Sequence, residues 1–305
     1  MAKELDELID VQDGYDEDGA FMLTTVRMGK ANIIFYLLSK FNKYYELHPI
    51  SAVKAEDETD EEYNIRQLYY MENSQENALQ VAFKYANKSY DVKNNGIYVL
   101  NVIEGLPADG KLKPGDRIFR IDDETLERSE SFIQYVQGKS KGDTITVHFE
   151  RDGVKQKTEI KIDILPETDK PGIGIALVED KEVETDPKVT IKTDEIGGPS
   201  AGFMFSLEIY NQLIQEDITK GYKIAGTGTI SEDGTIGRIG GIEQKVVAAH
   251  KAGAEIFFAP NENGSADSNY RAAVKTAKDI NTKMKIVPVD TFEDAIEYLK
   301  NLKAK

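Results

Sequence analysis

Ser200 and Lys245 are the residues of this chain whose types and settings could combine into a nucleophile with its own base. Ser200 stands in Gly197-Gly198-Pro199-Ser200-Ala201-Gly202, and Lys245 in Gly240-Gly241-Ile242-Glu243-Gln244-Lys245. Ile242, Val246, Ala249 and Gly253 follow the spacing of a core-facing helix. Lys245 lies on that same side, roughly 60° from Ile242 and 40° from Ala249, while Glu243, Gln244, His250 and Lys251 fill the opposite arc. Burial there lowers a lysine pKa and leaves a neutral amine, which can accept a proton near neutral pH. The ordinary alternative is that Lys245 threads its head group out past small neighbours.

Pro199 followed by Ser200 is also a common way to begin a helix. Here the segment from Ser200 to about Ile214 carries Phe203, Met204, Phe205, Leu207, Ile209 and Tyr210 around its whole circumference, so it is expected to be buried. A hydroxyl at its start would sit beside unpaired backbone N–H groups and the positive end of the helix dipole, donors that could hold an oxyanion. Gly197 and Gly198 would let the backbone approach a substrate closely. Gly198-Pro199-Ser200-Ala201-Gly202 also fits G-x-S-x-G, but the histidine of such a triad would have to be His250. That residue is about 140° around the helix from Lys245, so the two cannot both face Ser200. The absence of cysteine excludes a thiol nucleophile. His48, His148 and His250 are scattered without H-E-x-x-H, and the acidic run 55–62 reads as solvated surface, so no metal site is expected.

Together the two motifs resemble the proteolytic domain of the Lon family, serine peptidases with a Ser-Lys dyad. The resemblance continues through Ala225-Gly226-Thr227-Gly228-Thr229-Ile230, the turn Glu232-Asp233-Gly234, Ile236-Gly237-Arg238-Ile239-Gly240-Gly241, Lys245 to Gly253, and Phe258-Ala259-Pro260-Asn261-Glu262-Asn263. It implies that Ser200 is the nucleophile and Lys245 the general base. Thr227 would help to hold the lysine, with Gly198 and Pro199 as supporting residues of the turn.

Residues 96–162 read as a smaller β-rich module. Gly96 to Val102 has a strand pattern, and turn signals crowd Gly105-Leu106-Pro107-Ala108 and Gly110 to Gly115. Strands at Arg117–Ile121, Thr144–Glu150 and Lys157–Ile162 frame a helical spacing of Phe132, Tyr135 and Val136. The run Lys111-Leu112-Lys113-Pro114-Gly115-Asp116-Arg117-Ile118 makes this module resemble a PDZ domain, which takes up an extended peptide as an added strand. On that resemblance Gly96, Ile97, Tyr98 and Val99 match the carboxylate-binding loop, with Tyr98 replacing the second glycine of the usual Gly-Leu-Gly-Phe.

Before the module, Phe21 to Val26 reads as a strand, Ala31 to Phe41 as an amphipathic helix and Met71 to Phe83 as a further helix. After Lys245 the pattern is βαβα: Ile256–Ala259, Asn269–Ile280, Lys285–Val289, then a helix capped by Thr291, which implies short parallel strands with crossover helices. The expected fold is an α/β (α+β) Lon-type proteolytic domain split by an inserted PDZ domain. Residues 1–90 and 166–305 would form the first and 91–165 the second.

The 305 residues carry a net charge of −16, with no basic stripe, which argues against nucleic acid as a partner. Zero cysteine fits a reducing cytoplasm or an extracytoplasmic setting equally. Ile33 to Leu38, the best apolar run, is far too short to span a bilayer. Gly138-Lys139-Ser140 comes nearest to a P-loop, but Ile133 stands where its first glycine belongs. No cofactor is expected. The resemblance extends to PDZ-containing Lon-like peptidases of Gram-positive bacteria and implies an ATP-independent endopeptidase acting on peptides or exposed protein segments. It further implies a membrane anchor and an outward-facing, extracytoplasmic site, so this chain would be the soluble part of such a protein without the anchor, with a homo-oligomer among its possible partners. A silent peptide-binding scaffold is the alternative.

Overall fold

A computed structural model describes residues 1–54, 58–126, 128–193 and 196–305. The chain divides into two compact units, one of Met1–Pro49, Ser74–Asp91 and Glu184–Lys305, the other of Ile50–Asn73 and Val92–Val183. Strands and helices are numbered along the chain.

The first unit is built on a sheet of β1 (Ala2–Glu4), β3 (Ala20–Thr24), β13 (Lys223–Gly226), β16 (Ile256–Pro260) and β17 (Lys285–Val289), in that order. β1 runs antiparallel to β3, and the other neighbours are parallel. The crossovers are α5 (Ile242–Lys251) and α6 (Asn269–Asp279), with α7 (Phe292–Lys300) closing the chain behind a Thr291/Asp294 capping box. These βα units agree with the periodicity of the sequence. Small pairs complete the unit: β2 (Ile9–Val11) with β12 (Val189–Ile191), and β14 (Thr229–Ile230) with β15 (Ile236–Gly237). The core beneath α5 and α6 joins Val246, Ala249, Phe257, Ala273 and Ala277.

α4 (Gly202–Leu213) is buried on every side as its all-round apolar pattern requires, and it also buries Glu208 completely. Burial pushes the Glu208 carboxyl up to about 7, and Asp6 and Asp217 push in the same direction. Gln212 donates to its Oε1, while Oε2 has no partner among the described residues. Glu17, which accepts from Asn211 at 2.7 Å, is likewise raised, first by burial and then by Glu208. An acid whose folded pKa exceeds its unfolded value binds more protons in the native state, so stability falls as pH rises from about 4.5 through 7. Glu208→Gln should therefore be more stable than wild type by about 2 kcal/mol at pH 8 and similar to it at pH 4, as read from urea midpoints. An equal midpoint at pH 8 would disprove this account.

The second unit is a sheet in the order β11 (Ile175–Thr185), β4 (Tyr90–Val102), β5 (Arg117–Ile121), β7 (Thr144–Arg151) and β8 (Val154–Lys161). β6 (Glu124–Thr125) pairs with β5, and a β9 (Asp163–Leu165)/β10 (Lys170–Gly172) hairpin leads into β11. α3 (Ser129–Gln137) buries Phe132 and Val136 in a core shared with Ile97, Val99, Ile118 and Val147. The Pro114-Gly115-Asp116 turn is fixed by Asp116, which accepts from Lys113 N at 2.8 Å and from both Arg151 Nε and Nη2 at 2.7 Å. The expected boundary at residue 165 stops short of β11, which completes this sheet.

Two further helices lie before β4. α2 (Asp60–Tyr85) is longer than the expected 71–83, and of the acidic run 55–62, residues 55–57 lie outside the described residues. α1 (Ile33–Phe41) forms where expected, with Asn32 capping it by accepting from Phe35 N at 3.0 Å, yet it buries none of its residues. Among the described residues no helix is long and apolar enough to cross a membrane.

Candidate active site

The site gathers where parallel strand β13 ends, the usual position for a site in an open α/β sheet. Ser200 lies in a 3-10 turn, Pro199–Ala201, that leads directly into α4. Gly198 has φ 85° and ψ 158°, a conformation essentially confined to glycine, so the chain enters this turn by a path closed to other residues. Thr227 follows β13. Lys245 stands on the first turn of α5, whose cap Gly241 is left-handed at φ 68°. Asn269 clamps the approach to that cap, accepting from Ile239 N at 2.8 Å and donating to Ile239 O at 3.1 Å.

These three elements bring Lys245 Nζ to 2.7 Å from Ser200 Oγ and 2.8 Å from Thr227 Oγ1. Thr227 Oγ1 donates in turn to Ser200 O at 3.0 Å. A hydroxyl has one proton, so Thr227 can only accept from the lysine. A neutral amine that donates one hydrogen to Thr227 keeps its lone pair for Ser200. The same carbonyl of Ser200 also accepts from Gly228 N at 3.0 Å, and Gly228 O accepts from Phe203 N at 3.2 Å, which ties the Ser200 turn to the loop after β13.

Lys245 is 3% exposed, and burial lowers its ammonium pKa to about 7. The snorkelling alternative is thereby set aside, because the head group stays inside. Ser200 is only half-buried, so its hydroxyl remains reachable. Such a pair can pass a proton from hydroxyl to amine at neutral pH, which is what an activated serine requires. Among the described residues no group of histidine, aspartate or glutamate could hold a metal ion.

One positioning residue was not legible in the sequence. Ser74, buried on α2, donates to Pro199 O at 3.0 Å and lies against Gly202, where an added Cβ would stand 2.2 Å from Ser74 Oγ. Its polar neighbours Glu72, Asn73 and Gln75 make it look like one more solvated residue.

The expected peptide loop needs correction. Gly96, Ile97, Tyr98 and Val99 sit within β4, whose two edges are taken by β5 and β11, so no strand can be added there. Gly96 has φ 129°, and a Cβ would meet Ile118 O at 2.3 Å; close strand packing, not a ligand, explains this glycine. Tyr98 stacks on Tyr69 with ring centroids 4.0 Å apart. The sheet ends in β11 on one side and β8 on the other, and β11 is entered through Gly172-Ile173-Gly174-Ile175, where Gly174 has φ 79°. That tetrapeptide lies nearer to Gly-Leu-Gly-Phe than Gly96-Ile97-Tyr98-Val99 does, and it was the available signal.

Comparison with known proteins agrees with both units. Residues 73–162 match the family model of the PDZ domain, and residues 185–301 that of the Lon protease (S16) C-terminal proteolytic domain. The Lon protease of Mycoplasma mobile is 33% identical over 102 residues, 33% of this chain and 11% of that protein. That of Campylobacter concisus is 35% identical over 100 residues, again 33% of this chain and 12% of its own length. The chain thus matches only about an eighth of these relatives. The crystal structure of the PDZ domain of an SdrC-like protein from Listeria monocytogenes is 34% identical, covering 29% of this chain and 93% of that one, with a TM-score of 0.28. Residues 185–301 are a Lon-type (S16) proteolytic domain and residues 73–162 a PDZ domain, and the chain is a protein that combines the two.

Proposed function

We propose that the chain is a serine endopeptidase that works with a Ser200-Lys245 dyad and without ATP. The observation that carries this reading is a buried lysine amine 2.7 Å from a reachable serine hydroxyl. Lys245 takes the proton of Ser200 as Oγ attacks the scissile carbonyl, and backbone N–H groups at the entry to α4 stabilise the oxyanion. The protonated Lys245 then gives its proton to the leaving amine. Water attacks the acyl-enzyme with Lys245 again as base, which restores the free serine. Thr227 keeps the amine aimed throughout.

ATP independence is supported by Gly138-Lys139-Ser140, which follows the C-terminus of α3 instead of opening a helix onto a phosphate. On that reading, peptides and exposed flexible segments are the substrates proposed. The PDZ domain would present them by strand addition to the outer edge of β11, with the Gly172–Ile175 turn receiving a chain end.

Casein hydrolysis without ATP tests this. The wild type should cut, and Ser200→Ala should lose activity by about 10³-fold or more while keeping its thermal transition. Since Lys245 must be neutral to act, kcat/KM should rise with pH and level off above an apparent pKa near 7. Inert wild type on casein and on a broad peptide library, or a Ser200→Ala variant as active as wild type, would overturn the proposal.

A further inference from the structure

α1 is an apolar helix that buries none of its residues among the described residues. Ile33, Leu37, Phe41, Ile34 and Leu38 share one side of it, an arc of roughly 140°, with Lys40 at its border and Phe35, Ser39 and Tyr36 around the rest of the circumference. Phe41 is 88% and Ile33 81% exposed. Water would not be left against so much contiguous apolar surface unless something covers it.

The charges around the helix indicate what that is. Between Asp18 and Glu46 lies the longest acid-free stretch of a chain with 54 acidic residues, and it carries Arg27, Lys30, Lys40 and Lys43. The Lys40 ammonium rests 5.1 Å above the Tyr36 ring at the border of the apolar side. Lys43 pairs with Asp279 at 2.7 Å, both of them exposed. Tyr45, half-exposed, stacks on Phe35 beyond the other border of that arc, with ring centroids 6.4 Å apart.

We propose that α1 and its flanks dock on an anionic lipid bilayer, lying in the interface with the Ile33/Leu37/Phe41 side among the acyl chains and the cations among the headgroup phosphates. Nine residues span only about 14 Å, so the helix lies on the membrane and does not cross it. An apolar arc bordered by cations and tyrosines is the pattern of interfacial helices. The docking segment leaves β3, which is paired in register with β13 so that Leu23 faces Gly226, the residue before Thr227. Peptide cleavage would then take place close to the lipid surface. This inference stands on surface chemistry and does not depend on the peptidase reading.

Vesicle flotation tests it with a readout independent of activity. The whole chain should float with phosphatidylcholine vesicles containing roughly one third phosphatidylglycerol, release as salt is raised, and ignore pure phosphatidylcholine. Leu37→Ser/Phe41→Ser should lower partitioning about tenfold or more, and Arg27→Glu/Lys40→Glu should do so on the anionic vesicles. All four residues are exposed, so both variants should melt as wild type does. No flotation, equal flotation with both lipids, or flotation unchanged by either pair would overturn the proposal. So would self-association without flotation that the apolar pair abolishes, since the occupant would then be a second copy.

Discussion

Lys245→Met is expected to silence peptide cleavage and, at pH 6, to raise the thermal midpoint by several degrees. The loss follows from the lone pair: methionine fills the same tunnel but cannot take the Ser200 proton, and activity should fall about 10³-fold or more. The gain follows from burial. In the unfolded chain the lysine keeps its ordinary pKa of 10.5, whereas in the folded protein it is lowered to about 7. Between these values the unfolded state binds more protons, so wild-type stability rises with pH across that window. Below pH 7 the folded wild type must carry a desolvated ammonium, a penalty of the order of 5 kcal/mol at most. Part of the relief is offset because Ser200 and Thr227 lose their partner, which leaves a net gain of about 1–4 kcal/mol. The gain should shrink steadily by pH 9. A lower midpoint than wild type at pH 6, or a pH-independent difference, would refute the account of a neutral lysine held by burial.

Gly202→Ala should cost about 100-fold in kcat/KM, although neither Gly202 nor its neighbour Ser74 takes part in the chemistry. The backbone of Gly202 is ordinary helix, φ −55° and ψ −40°, so the objection to a side chain is purely steric. A Cβ there would lie 2.2 Å from Ser74 Oγ and 2.8 Å from Ile230 Cγ2. Relief requires either α2 or the start of α4 to move, and the latter carries Ser200. A displacement approaching 1 Å at the nucleophile is enough for a loss of this size. Adding Ser74→Ala removes the closest atom and should restore roughly tenfold of the lost activity. Ser74→Ala alone gives up only its bond to Pro199 O, so it should remain within a fewfold of wild type. If the double variant is no better than Gly202→Ala, the contact is not the cause.

The sequence pointed to the Ser200–Lys245 pair because its two members break local rules in view: a lysine on an apolar helix face, and paired glycines before a serine. The βαβα tail was legible for a similar reason, since strands and helices there alternate with clean periods and a threonine marks the last cap. β11 was not legible. Val178-Glu179-Asp180-Lys181-Glu182-Val183 reads as a solvated charge run, yet Asp180 and Lys181 are buried, and Asp180 accepts from Arg117 at 3.2 Å. Pairing with β4, more than seventy residues earlier, decides such a strand, and local pattern does not contain it. The same blindness placed the peptide loop on Gly96–Val99, because a good strand pattern cannot say whether its edges will be free. Glu208 escaped notice because it sits among apolar neighbours in a helix where a surface position would have been ordinary.

β11, eleven residues long, stands at one end of its sheet. Any such edge is a template for its own kind, and two copies meeting there could grow into insoluble stacks. β11 carries Glu182 and Glu184 on one face and Glu179 on the other, so a second copy pairing there would bring acids near one another. On the proposed function, that acidity would favour a peptide that is neutral or basic where those acids stand.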